Sequence, residues 1–141
     1  MADFRQISEK YAELANEVLW ENEELTYIRV SNVTITYLSS THEKKKAGNL
    51  VLGQCEKVPD KYKWGIPCDF TITIFEPNVE GMTDDQIKIV LFHELLHVGI
   101  EESEDGEEIY SNKPHDLEDF KLIIDKFGTD WAKIDDVPFT N

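Results

Sequence analysis

Apolar side chains recur along the chain with two periods, and each period predicts one kind of secondary structure. Residues 6–24 show the 3.6-residue period of an amphipathic helix. The apolar positions of this predicted N-terminal helix are Ile7, Tyr11, Leu14, Ala15, Val18 and Leu19. Residues 26–38, 50–57 and 68–75 alternate between apolar and polar side chains and predict three strands. The first of these strands changes phase at Ser31–Asn32, which indicates a bulge or a bend.

The most apolar segment of the chain, residues 87–98, predicts a helix that is buried on nearly all sides. Thr83 and Gln86 precede it with the spacing of a capping box. Gly99 follows it and is typical of the left-handed residue that ends a helix. A last helix is predicted over residues 114–127, because Pro114 suits a first helical turn and Gly128 follows the end.

These elements together predict an α+β fold in a single domain, residues 1–141. The expected fold is minimal and zincin-like, with a small sheet of about three strands. The N-terminal helix, the buried central helix and the C-terminal helix pack with this sheet. The strand Cys68–Phe75 has the most regular alternation, and we expect it to lie at the edge of the sheet, where an extended peptide could add to it.

Charge and composition restrict the possible partners. A formal net charge of −15 over 141 residues argues against nucleic acid, since no broad basic surface can be assembled. No segment has the roughly 20 consecutive apolar residues that cross a bilayer, and residues 1–10 are too polar for the core of a signal peptide. We therefore expect a cytoplasmic protein in which Cys55 and Cys68 are free, buried thiols.

The buried helix contains His93-Glu94-Leu95-Leu96-His97, the HExxH pattern of zinc hydrolases. Two histidines four residues apart lie on one face of a helix and can bind one ion, while Glu94 can contact a water molecule held there. The alternative is a core helix whose histidines are merely hydrogen-bonded. It would place a carboxylate in apolar surroundings, where an unpaired charge is costly. We therefore predict a Zn²⁺ site with His93 and His97 as ligands and Glu94 as general base.

The third ligand of this predicted site is open to several residues. A hydrolytic zinc site usually has three protein ligands and one water molecule. The extended pattern HExxHxxGxxH is excluded, because Ile100 and Ser103 occupy the positions that require glycine and histidine. The candidates that remain are His115, Asp119, Glu118 and the acidic residues 101–108. We prefer His115, and we interpret Asp119 as a hydrogen-bond acceptor for a ligand imidazole or as an alternative ligand.

Three motifs in order resemble one protein family. They are HELLH at 93–97, HDLEDF at 115–120 and KFGTDW at 126–131. The chain resembles the phage-type metallopeptidases, small zincin-like proteins of bacteria and their phages. The resemblance implies a minimal zincin-like fold, a cytoplasmic or phage setting and His115 as the third metal ligand, and it leaves the substrate open.

The sequence thus predicts a zinc-dependent metallopeptidase that hydrolyses peptide or protein substrates. Glu94 would take a proton from the attacking water and later pass it to the leaving amine. The alternative is a zinc-stabilised binding or regulatory module without turnover.

The acidic segment 101–108 admits two interpretations. It lies between His97 and His115 in the sequence, and could therefore sit at the mouth of the cleft and favour peptides with Lys or Arg near the cleaved bond. It could equally be a solvated loop without selectivity.

Overall fold

The computed structural model describes residues 4–113 and the backbone of residues 139–140. Within this part the chain forms four α-helices and nine strands. In chain order these are β1 (Arg5–Ile7), α1 (Glu9–Glu21), α2 (Thr26–Arg29), β2 (Ile35–Ser40), β3 (Lys45–Lys46), β4 (Asn49–Val51), β5 (Gly53–Lys57), β6 (Phe70–Phe75), α3 (Glu76–Val79), α4 (Asp84–Leu95), β7 (Val98–Glu102), β8 (Glu108–Asn112) and β9 (Phe139–Thr140). The predicted α+β class is confirmed.

The main sheet has four strands in the order β1-β2-β6-β5, one more than expected. β2 and β6 are parallel, whereas β1 pairs with β2 and β5 with β6 in antiparallel register. Two smaller sheets accompany it, β3-β4-β9 and the hairpin β7-β8. Since β6 lies between β2 and β5, the prediction that Cys68–Phe75 forms the edge is wrong. The edge nearest the central helix is β5.

Helices α1 and α4 pack against each other and against the sheet, α1 on β2 and α4 on β5 and β6. On β6 the alternating residues Phe70, Ile72 and Ile74 are fully buried, as their pattern predicts. Thr73 and Phe75 on the opposite face are also fully buried. Both faces of β6 are therefore covered, which is why this strand belongs to the interior of the sheet.

The predicted N-terminal helix is shorter than its apolar pattern. Its first turn begins at Ser8, whose hydroxyl accepts a hydrogen bond from the Tyr11 backbone N–H. The Ser8 N–H donates to the Tyr37 carbonyl at 2.8 Å, which continues the pairing of β1 with β2. Ile7 therefore lies on β1 and is 73% exposed, so its assignment to the apolar helical face is wrong.

The predicted strand 26–38 is in fact a helical turn followed by a strand. Thr26–Arg29 forms α2, and β2 starts only at Ile35. The hydroxyl of Ser31 donates to the Ile28 carbonyl at 2.7 Å and ends the helical turn. The phase change at Ser31–Asn32 thus marks a boundary between two elements. Similarly, the predicted strand 50–57 is divided at Leu52, since β4 pairs with β3 and β5 pairs with β6.

Asp69 fixes the start of β6. Its carboxylate accepts hydrogen bonds from the Lys63 ammonium at 2.9 Å and from the backbone N–H and hydroxyl of Thr34. Burial raises the pKa of the Asp69 carboxyl, but these hydrogen bonds outweigh burial and hold the pKa below its usual value. The carboxylate therefore ties two distant loops to the sheet in its ionised form.

Cys55 and Cys68 are free and buried, as predicted. In the sheet Cys55 lies opposite Ile72, whereas Cys68 precedes β6. The two thiols therefore do not face each other across paired strands. Among the residues that the structure describes, none of the helices combines the length and the hydrophobicity needed to span a bilayer.

Candidate functional site

Helix α4 carries the first half of the HExxH motif into the core. Its N-terminus has the predicted capping box, in which the Thr83 hydroxyl accepts from the Gln86 N–H and the Gln86 side chain accepts from the Thr83 N–H. The helix ends at Leu95, earlier than predicted. Gly99 lies within β7 and does not have a positive φ, so its predicted role as a left-handed helix stop is wrong.

His93 and His97 lie side by side although the helix ends between them. Leu96 keeps a helical backbone conformation and the His97 N–H donates to the Glu94 carbonyl at 3.0 Å, so the last turn continues through the motif. The two imidazole rings are 5.3 Å apart between centroids and inclined at 75°. Both side chains are partly exposed. This arrangement places two nitrogen donors within reach of one ion.

A hydrogen bond orients the His97 ring. Its Nδ1 lies 2.5 Å from the carbonyl oxygen of Lys113, and the Lys113 N–H donates to the His97 carbonyl at 2.6 Å. Because a carbonyl can only accept, Nδ1 of His97 is the donor, and the lone pair of the neutral ring lies on Nε2. Metal-binding histidines in proteins are commonly held by such a hydrogen bond.

Glu94 is the only charged residue buried in the core of the described chain, with 1% of its surface exposed. Neither carboxylate oxygen accepts a hydrogen bond from a described residue. Burial raises the pKa of the Glu94 carboxyl to about 8, and the nearby backbone N–H of Cys55 acts in the opposite direction without reaching hydrogen-bond geometry. Such a group is costly to keep unless a ligand or a water molecule satisfies it.

Gly53 of β5 lets the strand approach Glu94 closely. A Cβ atom at this position would lie 3.2 Å from Glu94 Cγ, 3.2 Å from Val90 Cγ1 and 3.3 Å from Ile74 Cδ1. Helix α4 and the edge of the sheet are therefore in contact at Glu94. A lone glycine within a strand pattern is a known signal of such an approach.

A cavity of about 220 Å³ opens beside this contact. Glu94 and His97 line it together with Gly53, Gln54, Asn112 and two lysines, Lys44 and Lys46. The HExxH motif predicts only the first two of these residues. Gly53 could have been found from its place in a strand, whereas Asn112 carries no local signal. Lys44 and Lys46 belong to a short basic cluster, which by itself is more typical of a solvated turn than of a binding site.

The edge strand β5 directs backbone groups towards this cavity. The Phe75 N–H donates to the Leu52 carbonyl and the Val58 N–H to the Asp69 carbonyl, which fixes the alternation of the β5-β6 ladder. By that alternation, Gly53 and Cys55 point their N–H and C=O groups away from β6. The Asn112 side-chain amide donates to the Cys55 carbonyl at 2.7 Å and ties the hairpin β7-β8 to this edge.

The acidic residues 101–108 belong to that hairpin. Glu102 and Glu108 are paired residues of β7 and β8. The interpretation of residues 101–108 as a loop is therefore wrong at these two residues. Glu101, Glu102, Glu107 and Glu108 line a separate cavity of about 620 Å³ with Tyr27 and Tyr110. The structure does not bring them to the cavity that Glu94 and His97 share.

The candidates for the third ligand, His115, Glu118 and Asp119, lie outside the described residues. Within residues 4–113, no three His, Cys, Asp or Glu side chains come together as a metal-binding group. Among the described residues, the His93 and His97 rings are adjacent, and Glu94 lines the same cavity as His97.

A comparison with protein families identifies the group to which the chain is related. The family model described as putative phage metallopeptidase matches residues 4–136. The chain belongs to this family. No curated protein and no solved structure matched it.

Membership of the phage metallopeptidase family confirms the resemblance read from the motifs. The family description indicates a hydrolase of peptide bonds and implies a metal cofactor. The residues described here fit a divalent ion, since the two imidazoles are adjacent and the buried Glu94 carboxylate has no hydrogen-bond partner within the described chain.

Proposed function

We propose that this member of the family is a zinc-dependent peptidase in which Glu94 is the general base. The observation that carries the proposal is the Glu94 carboxylate, which is 1% exposed, accepts no hydrogen bond from the described chain and lines the same cavity as His97. A structural role would not explain a buried acid that lacks partners. A catalytic base that waits for a water molecule does explain it.

His93, His97 and His115 are the proposed ligands. Two imidazoles and a third nitrogen donor are a common set for catalytic zinc, which leaves one position for water. The hydrogen bond from His97 Nδ1 to the Lys113 carbonyl supports the role of His97, because metal-binding histidines are commonly oriented by such a bond. Lys113 is also two residues before His115 in the sequence. Because Lys113 is hydrogen-bonded to His97, the segment that carries the third proposed ligand follows directly from a residue beside His97. Asp119 is the alternative third ligand.

When bound, the ion supplies Lewis acidity, which polarises the scissile carbonyl and acidifies a water molecule. Glu94 takes a proton from the attacking water and returns it to the nitrogen of the leaving amine. Its burial in the cavity wall raises the proton affinity of the carboxylate, which suits a group that must both accept and donate a proton.

The substrate is proposed to bind as an extended strand beside β5. The outward N–H and C=O groups of Gly53 can pair with a peptide backbone independently of its side chains. The Cys55 carbonyl is occupied by Asn112, so a bound peptide would pair with this edge on either side of that contact or displace the amide.

The test combines metal analysis with peptide digestion by the full chain. Purified protein should contain one zinc ion per chain, and it should cleave members of a peptide library in a way that a chelator abolishes. Glu94→Gln should keep zinc and lose about 10²- to 10⁴-fold in kcat, since it removes proton transfer alone. His97→Ala should lose zinc.

Matched controls are available for both residue types. Glu13→Gln changes an exposed glutamate on α1, and His42→Ala changes a histidine that packs edge-to-face on Phe75 and does not line the cavity of Glu94 and His97. Both should retain zinc and activity. A wild-type protein that binds zinc but cleaves nothing, with Glu94→Gln indistinguishable from it, would favour the zinc-stabilised binding module instead.

A further inference from the structure

Two lysines border the cleft of a strongly acidic protein. Lys44 and Lys46 line the cavity that contains Glu94 and His97, although the chain as a whole has a formal net charge of −15. Residues two apart in an extended segment project to the same side, so Lys45 between them projects to the opposite side. Lys44 and Lys46 therefore border the same cavity from one segment of the chain.

Lys44 is held in place by its own backbone and side chain. Its carbonyl accepts hydrogen bonds from the Asn78 amide at 2.8 Å and from the Val51 N–H at 3.0 Å. Its ammonium donates to Gln54 Oε1 at 2.6 Å and lies 5.5 Å from the centre of the Phe75 ring. A neutral amide and an aromatic face orient the ammonium without neutralising its charge.

Lys46 is exposed and precedes a tight turn. Ala47 and Gly48 have φ values of 53° and 82°, the left-handed pair of a two-residue hairpin turn that joins β3 to β4. The structure shows no ion pair for Lys46 among the described residues. The turn therefore fixes the backbone of Lys46 while its side chain is available to a ligand in the cleft.

Among the described acidic residues, only Glu94 lines the same cavity as the two lysines. Glu56, on the edge strand, is paired with Arg5 at 3.0 Å. The acidic residues of the hairpin line the other cavity, so they give no basis for the expected preference for Lys or Arg.

We propose that Lys44 and Lys46 bind a carboxylate of the substrate next to the cleaved bond. The carboxylate is an Asp or Glu side chain or the free C-terminus of a peptide. This specificity rests on the proposed peptidase function, and it is opposite to the preference for Lys or Arg that one of the two interpretations of the acidic segment predicts.

The test compares peptides that differ in one charge. Fluorescein-labelled peptides of one fixed sequence, with Glu, Gln or Lys at one central position and with a free or amidated C-terminus, are titrated into full-length Glu94→Gln protein and followed by anisotropy. Cleavage by the wild type is measured with the same set. The carboxylate should lower Kd and raise kcat/KM, each about fivefold, and the effect should weaken as salt rises. If the Glu side chain produces the effect, the bound carboxylate is an acidic side chain. If the free C-terminus produces it, the bound carboxylate is the end of the peptide.

Substitutions at and beside β3 distinguish the roles of Lys44 and Lys46 from that of Lys45. Lys44→Gln and Lys46→Gln should each remove much of the preference for a carboxylate, Lys46→Arg should keep this preference and Lys46→Glu should reverse it. Lys45→Gln is the matched control and should leave the preference unchanged. Thermal melting verifies that each variant is folded.

The outcomes distinguish the two proposals. Charge-selective binding without cleavage supports the lysine site and contradicts the peptidase function. Cleavage without charge selectivity supports the peptidase function and contradicts the lysine site. The lysine site is also overturned if the ratio of kcat/KM for the Glu and Gln peptides is the same in wild type and in Lys46→Glu. Absence of any peptide binding overturns it as well.

Discussion

Gly53→Ala tests whether the contact between β5 and α4 sets the position of Glu94, the proposed general base. The added methyl group would lie 3.2 Å from both Glu94 Cγ and Val90 Cγ1 and 3.3 Å from Ile74 Cδ1. These distances are a few tenths of an ångström too short for relaxed contact. Val90 and Ile74 are 1% and 0% exposed, so they cannot move into solvent, and the strand must separate slightly from the helix.

The expected magnitude follows from two opposing effects. Overpacking a filled core costs about 1–3 kcal/mol. Replacing glycine by alanine returns about 0.4–1 kcal/mol, because the unfolded chain loses conformational freedom. The net change is a loss of about 1 kcal/mol in the free energy of unfolding, or about 3 °C in Tm for a chain of this size. A small shift of Glu94 should also lower kcat about fivefold while zinc content stays the same.

The assay is urea unfolding together with peptide cleavage and metal analysis of the same preparations. Gly65→Ala is the matched control, since a Cβ atom there meets nothing within 4 Å and its φ is not positive. The control should change stability by at most a few tenths of a kcal/mol. If Gly53→Ala were as stable and as active as Gly65→Ala, the close approach of strand and helix would have no part in positioning Glu94.

Two further predictions concern stability alone. Asp69→Asn should cost about 1 kcal/mol at pH 7. Because the folded pKa of Asp69 is lowered, the carboxylate stabilises the protein above its unfolded pKa of about 3.9, and the difference from wild type should fade as pH drops through the folded value. Urea unfolding at pH 7 and at pH 3 checks this prediction. Asp60→Asn is the control, since the Asp60 side chain is 88% exposed. An equal difference in the free energy of unfolding between wild type and Asp69→Asn at both pH values would contradict the prediction. Ala47→Asn should stabilise the β3-β4 hairpin by about 0.5 kcal/mol, because asparagine tolerates positive φ better than alanine. Gly48→Ala should destabilise this hairpin. Thermal melts in which both substitutions change Tm in the same direction would refute the turn geometry.

Several elements of the fold could be predicted from local sequence. The capping box at Thr83, the apolar helix behind it and the buried alternation of Phe70, Ile72 and Ile74 depend on residues that are close in the chain. Where local patterns failed, a distant contact decided. Ile7 fits a helical period, but pairing of β1 with β2 places it on a strand.

The sequence by itself determined the HExxH motif, the family of the chain and the two free thiols, because each depends on residue type and spacing. Only the tertiary structure decided which strand forms the edge beside Glu94 and which charges border the cleft. Lys44, Gly53, Glu94 and Asn112 come from four separate segments and meet at one cavity. The acidic residues lie nearest to His97 in sequence, yet the extended hairpin carries them away from the cleft, since each strand residue adds about 3.3 Å.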